Sequence, residues 1–530
     1  MAANPELPRS AAGPNSPWLI AVIVSIATFM EVLDTTIANV ALRHMAGGVG
    51  ASRDESTWIL TTYLVTNAIV LPVSGYLATA LGRKRFYMGC VALFTLASLG
   101  CALAPNLPML LICRAIQGIG GGGLAPVEQS ILADTFPPEK RSQAFALYGL
   151  TVVTAPAIGP ALGGWITDNY SWHWIFLINV PVGALSIFLV SVFVKEPQAV
   201  QDDRKKFLAQ GGGIDWVGFL LAAMALGSLQ VVLDRAVIDD GFWSPTVRNL
   251  TIACVVGFVL LIPWERRQAR PAVNVRLFGH RSFFAASAIM FLVAFTLFST
   301  TQLLPQLTQE LMGYDATTAG LTLAVGGFAT IFIMPIAGKV VGPVQPRWVI
   351  LAALLWSGVA LLYATRIDLT MSFWHVSLLR VLQVMALPFL FVPITTAAYI
   401  GLPPEKTNDA SALINLMRNL GASVGISVMN AVVTRGAQFH QARLTESATD
   451  LNPLWTEQLQ QTEAALRAAG IGPDDASRAA LEQVAQALAG QAQALSYIDA
   501  FWVLGVAVLV LWPLVFLMRD APKGAVPSGH

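Results

Sequence analysis

Residues Leu110 to Gly164 read LLICRAIQGIGGGGLAPVEQSILAD, then TFPPEKRSQ, then AFALYGLTVVTAPAIGPALGG. Two long apolar segments flank a short charged connection, which is the pattern of a pair of membrane-crossing helices. The first carries Arg114 inside it. An arginine at mid-span costs about 2.5–3.5 kcal/mol on insertion scales, so such residues are retained mainly where they work. The second places small residues four apart, at Ala155, Gly159 and Gly163, with Gly164 beside them. That spacing lets helix backbones touch in lipid, while Pro156 and Pro160 interrupt the hydrogen-bond ladder nearby. A buried cation beside a glycine- and proline-weakened helix predicts a moving part of a transporter.

Composition agrees. Of 530 residues, 55% are hydrophobic and 12% charged, with mean hydropathy +0.62, whereas a soluble chain carries about 25% charged residues. Fourteen spans are predicted, near 18–43, 56–80, 86–104, 109–132, 143–166, 173–194, 214–233, 247–264, 282–304, 317–339, 347–365, 373–397, 409–434 and 497–519. The fold class is therefore an all-α polytopic membrane protein. Arg83, Lys84, Arg85, Lys140, Arg141, Lys195, Arg204 to Lys206 and Arg266 to Arg281 gather in one set of loops, which the positive-inside rule makes cytoplasmic together with both termini. Cys90, Cys101, Cys113 and Cys254 all fall inside spans and read as core residues, not a disulfide framework. The first 17 residues are polar and lack an apolar signal region, so the first span is expected to remain as an anchor.

An internal repeat orders the spans. Pro72-Val-Ser-Gly75 recurs as Pro335-Ile-Ala-Gly338, 263 positions on; Arg114-Ala-Ile-Gln117 recurs as Arg380-Val-Leu-Gln383, and Pro137-Pro-Glu-Lys140 as Pro403-Pro-Glu-Lys406, both at 266. Copies on the same membrane side require an even number of spans between them, and eight fit: six per half plus two inserted. The expected division is a tail at 1–17, a six-helix half at 18–194, a linker with two extra spans at 195–281, a second half at 282–519 that includes an outer loop at 435–496, and a tail at 520–530. The outer loop holds four arginines against seven carboxylates, and its Ala, Leu and Gln content favours helix.

Several segments carry a family resemblance. Arg114-Ala-Ile-Gln117-Gly118 resembles the RxxQG signature of the fourth helix of major facilitator superfamily transporters, and Ala155 to Gly164 resembles the antiporter motif gxxxGPxxGG, with alanine at its first position. Phe29 to Leu42 (FMEVLDTTIANVAL) is similar to the LDxTIvNvAl signature of fourteen-helix drug:proton antiporters of the EmrB/QacA type; Trp58 to Asn67, Trp172 to Gly183 and Arg418 to Gly425 match that family too. The resemblance covers about 18–519 and implies a major facilitator fold with alternating access. It further implies efflux of hydrophobic or cationic drugs across a bacterial inner membrane, with protons as the coupling ion and no other cofactor. A periplasmic membrane-fusion adaptor and an outer-membrane channel are the implied partners. One departure is Thr79, in Gly75-Tyr-Leu-Ala-Thr79-Ala-Leu-Gly82-Arg83-Lys84-Arg85, where the superfamily usually places aspartate.

Glu31 and Asp34 share a helix face, three residues apart, and Asp34 matches Arg114 in depth. Two readings stand: protonatable carboxylates tuned by Arg114, or a structural ion pair that orients helices. Asn39, Asn67, Gln117, Gln302, Gln383, Arg380, Asn415 and Arg418 are polar groups in spans and candidates for lining a substrate cavity. Pro156, Gly159, Pro160, Gly163 and Gly164 are candidates for helix contact. Glu128, close to a helix end, is expected to snorkel to the interface.

Soluble-protein motifs do not survive their context. Gly118-Ile-Gly120-Gly-Gly-Gly123 fits GxGxxG but follows no strand, and Gly421-Ala-Ser423-Val-Gly425 fits GxSxG but lies within a helical segment. No P-loop and no HExxH metal spacing occurs in the sequence, so neither ATP hydrolysis nor metal chemistry is expected of it, and nucleic-acid binding has no basis. The alternatives to multidrug export are a dedicated exporter of an endogenous metabolite or siderophore, and a non-transporting membrane receptor or scaffold.

Overall fold

The computed structural model describes residues 16–518 apart from 138–139, 197, 210–214, 237–240, 269–270, 342–343, 401, 403–405 and 450. Positions 1–15 and 520–530 of the expected tails, and Pro403-Pro404-Glu405 of the repeat, lie outside the described residues. The first half comprises α1 (Pro17–Val49), α2 (Arg53–Leu81), α3 (Arg83–Ala102), α4 (Leu107–Gly121), α5 (Leu124–Thr135), α6 (Arg141–Asn169), α7 (Trp174–Leu177) and α8 (Asn179–Phe193). A polar helix, α9 (Gln198–Ala209), precedes the inserted pair α10 (Trp216–Arg235) and α11 (Pro245–Arg267). The second half holds α12 (Arg281–Leu311), α13 (Ala316–Val340), α14 (Pro346–Ala364), α15 (Phe373–Val384), α16 (Pro388–Ala398), α17 (Thr407–Glu446), α18 (Pro453–Ala468) and α19 (Pro473–Val510).

Among the described residues, thirteen helical segments are long and apolar enough to cross a membrane; α6, bent by 41° between Arg141–Pro156 and Ile158–Asn169, makes a fourteenth. The bend falls where Pro156 and Pro160 remove backbone donors. One crossing is shared by α4 and α5, and one by α15 and α16. Both of these breaks come a few residues after the repeated Arg-x-x-Gln. Exposed apolar side chains such as Ile252, Val259 and Leu260 on α11 face outward, as a lipid-contacting helix requires. Each half closes on itself, and the halves meet along α6–α13 and α2–α17.

The two soluble-looking glycine motifs are packing devices. A Cβ at Gly120 would lie 2.7 Å from the Phe94 nitrogen of α3, and one at Gly122 would lie 2.8 Å from the Asn67 carbonyl of α2. The glycine run thus lets α4 press between two neighbours. Gly421 and Gly425 bring α17 onto α12, where a Cβ would lie 2.9 Å from the Phe291 carbonyl carbon and the Phe295 Cα respectively. They stand 266 positions after Ala155 and Gly159, so the same small-residue contact builds both halves.

Two helices run well past the expected spans. Span thirteen was expected to end at 434, but α17 runs unbroken to Glu446 as a 40-residue helix. At 1.5 Å per residue that is about 60 Å, roughly twice the hydrocarbon thickness. Span fourteen was expected to start at 497, but α19 already begins at Pro473. Hydropathy marks only the lipid-facing part of a helix, and the polar Ala/Gln-rich continuation keeps its helical propensity. The segment 435–496 is consequently the end of α17, α18 and the start of α19, projecting beyond the bilayer.

Gly159 and Gly163 separate packing from mere smallness. A Cβ at Gly159 would lie 2.8 Å from the Thr36 Cβ, and one at Gly163 3.3 Å from the Ile37 Cα, whereas at Gly164 the nearest atom is Thr317 Oγ1 at 3.9 Å. Gly159→Leu or Gly163→Leu should destabilise the α1–α6 contact by about 1–3 kcal/mol or more, the usual cost of overpacking. Gly164→Ala should behave as the parent. Thermal unfolding of the purified protein in detergent distinguishes them, and equal melting of all three variants would disprove the contact.

Candidate functional site

Asp34 sits at the centre of a buried polar cluster. Its Oδ2 accepts from Arg114 Nη1 at 2.7 Å, and its Oδ1 accepts from Asn179 Nδ2 at 2.7 Å and Gln117 Nε2 at 3.0 Å. Gln117 Oε1 accepts a second bond from Arg114 at 2.7 Å, and Ser98 Oγ receives Gln117 Nε2 at 2.7 Å. Arg114 Nε reaches the Ile59 carbonyl at 3.1 Å, and its guanidinium lies 4.4 Å from the Tyr63 ring centroid. Arg114 and Gln117 are wholly buried and Asp34 nearly so. Residues of α1, α2, α3, α4 and α8 are thereby tied at one point. The i, i+3 spacing of Arg114 and Gln117 puts both on one face of α4, which is why the signature needs that spacing.

The repeat supplies the same arrangement with the carboxylate replaced. Arg380 Nη1 donates to Thr300 Oγ1 at 3.0 Å and to Gln383 Oε1 at 3.1 Å, and its Nη2 donates to Thr301 Oγ1 at 2.7 Å. Thr300 lies 266 positions after Asp34, the same offset as Arg380 from Arg114. Where the first half has a carboxylate, the second has a hydroxyl.

Between the halves lies a cavity of about 350 Å³, lined among others by Glu31, Asn39, Thr57, Tyr63, Asn67, Arg114, Gln230, Asp234, Gln302, Arg418, Asn419 and Asn430. Thr57 is near the start of α2 and Asp234 near the end of α10. The cavity therefore lies between mid-bilayer and the face opposite the start of α1. Of the candidates named from sequence, Glu31, Asn39, Asn67, Gln302, Arg418 and Arg114 are in the lining; Gln117, Gln383, Arg380 and Asn415 are set behind it. Glu31 Oε1 accepts from Tyr63 Oη at 3.0 Å and Asn67 Nδ2 at 3.4 Å. Asn67 Oδ1 in turn accepts from Asn419 Nδ2 of the second half at 3.0 Å. The cavity carboxylate is thus wired to an inter-half contact, while Asp34 is held in a saturated ion pair.

A floor of inter-half hydrogen bonds seals the side where α1 begins. Arg418 donates to the Tyr148 hydroxyl, which donates to Asn415 Oδ1 at 2.8 Å, and Asn415 Nδ2 donates to Gln129 Oε1 at 3.0 Å. Thr79, at the departed motif position, accepts from Asn408 Nδ2 at 3.0 Å. A neutral bond joins α2 to α17 there. Glu128 corrects its expectation: it does not snorkel but is wholly buried, with Ser25 Oγ donating to its Oε1 at 2.6 Å. Tyr63, Ser98, Asn179, Tyr148, Gln129, Gln230 and Asp234 were not singled out in the sequence. Asn179 lies in a stretch matched to the family, but nothing in composition or spacing marks Tyr148 or Asp234.

Two helical halves, a cavity between them and a hydrogen-bonded floor on one side are the layout of a membrane carrier. The comparisons are specific about which. The Major Facilitator Superfamily profile matches residues 24–426, and the chain belongs to that superfamily. It is 36% identical to the multidrug export protein EmrB of Escherichia coli strain K12 over 96% of this chain and 97% of that one. It is 32% identical to the fatty acid resistance protein FarB of Neisseria gonorrhoeae over 96% and 97%. The proton:xylose symporter XylE shares the fold at a TM-score of 0.60 and 13% identity, covering 94% of this chain and 95% of that one. The human organic anion transporter MFSD10 matches at 0.60 and 15%, covering 95% and 100%.

The Asp34–Arg114 pair is open to a double-mutant cycle. Asp34→Asn strands the Arg114 guanidinium in a dry site, and Arg114→Gln strands the carboxylate, each at about 3–5 kcal/mol. The double variant removes both charges and should recover most of the loss. Additive losses, read from unfolding midpoints in detergent, would mean that the two charges do not depend on one another.

Proposed function

We propose that this chain is a proton-driven exporter of hydrophobic and cationic small molecules, with Glu31, Asp34 and Arg114 as its coupling residues. The observation that carries the reading is Glu31: a carboxylate in the cavity wall whose hydrogen-bond partner Asn67 also holds Asn419 of the other half. Proton loading of Glu31 turns a charge-assisted bond from Asn67 into a weaker neutral one, so the proton changes both the cavity charge and a contact between halves. Substrate and proton then compete for one state of the carrier. The energetics suffice: one charge moving through about 150 mV supplies roughly 3.5 kcal/mol, enough for a few-hundred-fold gradient at about 1.4 kcal/mol per decade. The names of the relatives EmrB and FarB support export of foreign apolar compounds over a dedicated metabolite or siderophore.

The test is drug-induced proton release from purified protein in detergent. Wild type should release protons on substrate binding, and Glu31→Gln should release few or none. Asp34→Asn should also impair release, through the Arg114 network. Release of wild-type size from Glu31→Gln would overturn its role and return Asp34 to first place. No release from wild type would overturn proton coupling itself.

The basic loops support a cytoplasmic start of α1 in a bacterial inner membrane, an orientation in which the helical projection of α17, α18 and α19 is periplasmic. The projection is then the surface on which a membrane-fusion adaptor docks, with Leu454 and Leu481 among its exposed apolar residues. Single cysteines at Leu454 and Leu481 should react with an impermeant maleimide from outside spheroplasts, while one at exposed Lys205 should not. The reverse pattern would overturn both the orientation and the docking surface.

A further inference from the structure

The inserted helices are absent from a twelve-helix carrier, yet α10 contributes Gln230, Leu233 and Asp234 to the cavity wall. It packs against α2 and touches α17, bridging the seam between the halves. A Cβ at Gly227 would lie 3.2 Å from Ile69 Cδ1 of α2, so the glycine sets this approach.

Asp234 is out of place by local rules. It occupies the last turn of α10, the negative end of the helix dipole, where cations are favoured and a carboxylate is not. Its sequence neighbour Arg235 adds positive charge nearby but makes no hydrogen bond to it: Nη1 donates to Thr57 Oγ1 of α2 at 3.1 Å, and the guanidinium lies 5.3 Å from the Trp58 ring centroid. Consecutive helical residues point about 100° apart, so Arg235 turns to α2 while Asp234 turns to the cavity. The Asp234 Oδ2 is shut off from solvent and accepts no hydrogen bond among the described residues. A carboxylate held without a donor in a largely apolar cavity wall is matched by a cation that brings its own apolar surface.

We propose that α10 carries a cation-recognising subsite of the transport cavity, with Asp234 as its charged element and Gln230 one turn below as a neutral polar neighbour. The inference rests on the reading of this cavity as the substrate site and deepens it. The ligand class is the lipophilic organic cation, whose delocalised charge is poorly hydrated and so is cheap to bring to a half-buried carboxylate. Across the cavity, Arg418 supplies a fixed positive charge and Glu31 a second carboxylate. A cation is thereby drawn to the α10 and α1 walls and kept from the floor. Neutral apolar substrates need neither carboxylate and gain only from burial.

The experiment measures equilibrium binding of tetraphenylphosphonium, and of a neutral apolar drug, to the full-length purified protein, together with transport of both in proteoliposomes. Asp234→Asn should weaken tetraphenylphosphonium binding roughly tenfold, as loss of one partly screened charge predicts, and leave the neutral drug within about twofold. Asp234→Glu should restore cation binding. Wild-type cation affinity in Asp234→Asn would overturn the subsite, as would an equal loss for both ligands, which marks a packing role. If wild type binds the cation but a pH gradient drives neither ligand, the coupling reading fails and the subsite stands. If both ligands are driven but Asp234→Asn binds the cation normally, the subsite fails and the exporter stands.

Discussion

A guanidinium buried in a bilayer protein is costly unless an anion or several acceptors meet it, and the first half is assembled around that need. Arg114 is satisfied by Asp34, Gln117 and the Ile59 carbonyl. Asp34 in turn is satisfied by Arg114, Gln117 and Asn179. Each contributor comes from a different helix apart from the Arg114–Gln117 pair, so the cluster fixes the mutual depth of α1, α2, α4 and α8. Removing one charge leaves the other uncompensated, which makes the cluster cooperative in a way that dispersed apolar contacts are not. The close approach of α1 to α6 at Gly159 and Gly163 presses the back of the same helix that bears Asp34. Any shift of α1 is therefore felt both at the ion pair and at the antiporter motif.

That coupling suggests how a local proton event becomes a movement of halves. Glu31 is one helical turn from Asp34 on α1 and faces the cavity instead of the ion pair. Its link through Asn67 to Asn419 crosses the boundary between halves, and Arg418, beside Asn419, holds the floor through Tyr148. Apart from the Arg418–Tyr148 bond, the floor is made of neutral hydrogen bonds, with Thr79 and Asn408 standing where a charged lock would be expected. Neutral bonds of this kind contribute about 0.5–1.5 kcal/mol each. A floor built from several of them is within reach of the roughly 3.5 kcal/mol that one proton carries through the membrane potential.

Much of this was legible in the sequence because it is carried by period and by expensive residues. The spans follow from hydropathy, the two halves from repeats at 263 and 266 positions, and the Asp34–Arg114 encounter from matched depth. What was not legible depends on which way a helix is rotated. Glu128 looks like an interfacial residue by position, yet α5 turns it toward Ser25 on α1. Gln117 and Gln383 look like cavity residues by polarity, yet each faces its own half's arginine. Asp234 lies in an inserted helix that the repeat does not cover, so no second copy pointed to it. That 435–496 is helical was legible from its composition, but its continuity with α17 and α19 was not: a span search stops where apolarity stops, and a helix does not.

The repeat also shows that the carboxylates beside the Arg-x-x-Gln cluster belong to one half only. Counting 266 positions on from Asp34 and Glu31 reaches Thr300 and Leu297. Arg380 keeps the role of tying α15 to α12, but its partners Thr300, Thr301 and Gln383 are neutral. Hydroxyl and amide groups do not exchange protons in the working range, so this copy of the cluster keeps its charge there. Leu297 is buried where Glu31 would have faced the cavity. Two halves that both titrated would change charge together, and the inter-half contact would see little difference between states. With carboxylates on α1 and only fixed groups on α12 and α15, a proton alters one side of the boundary and leaves the other as a reference. On the proposed reading, the difference between the two copies of a common fold is what would convert proton binding into relative motion.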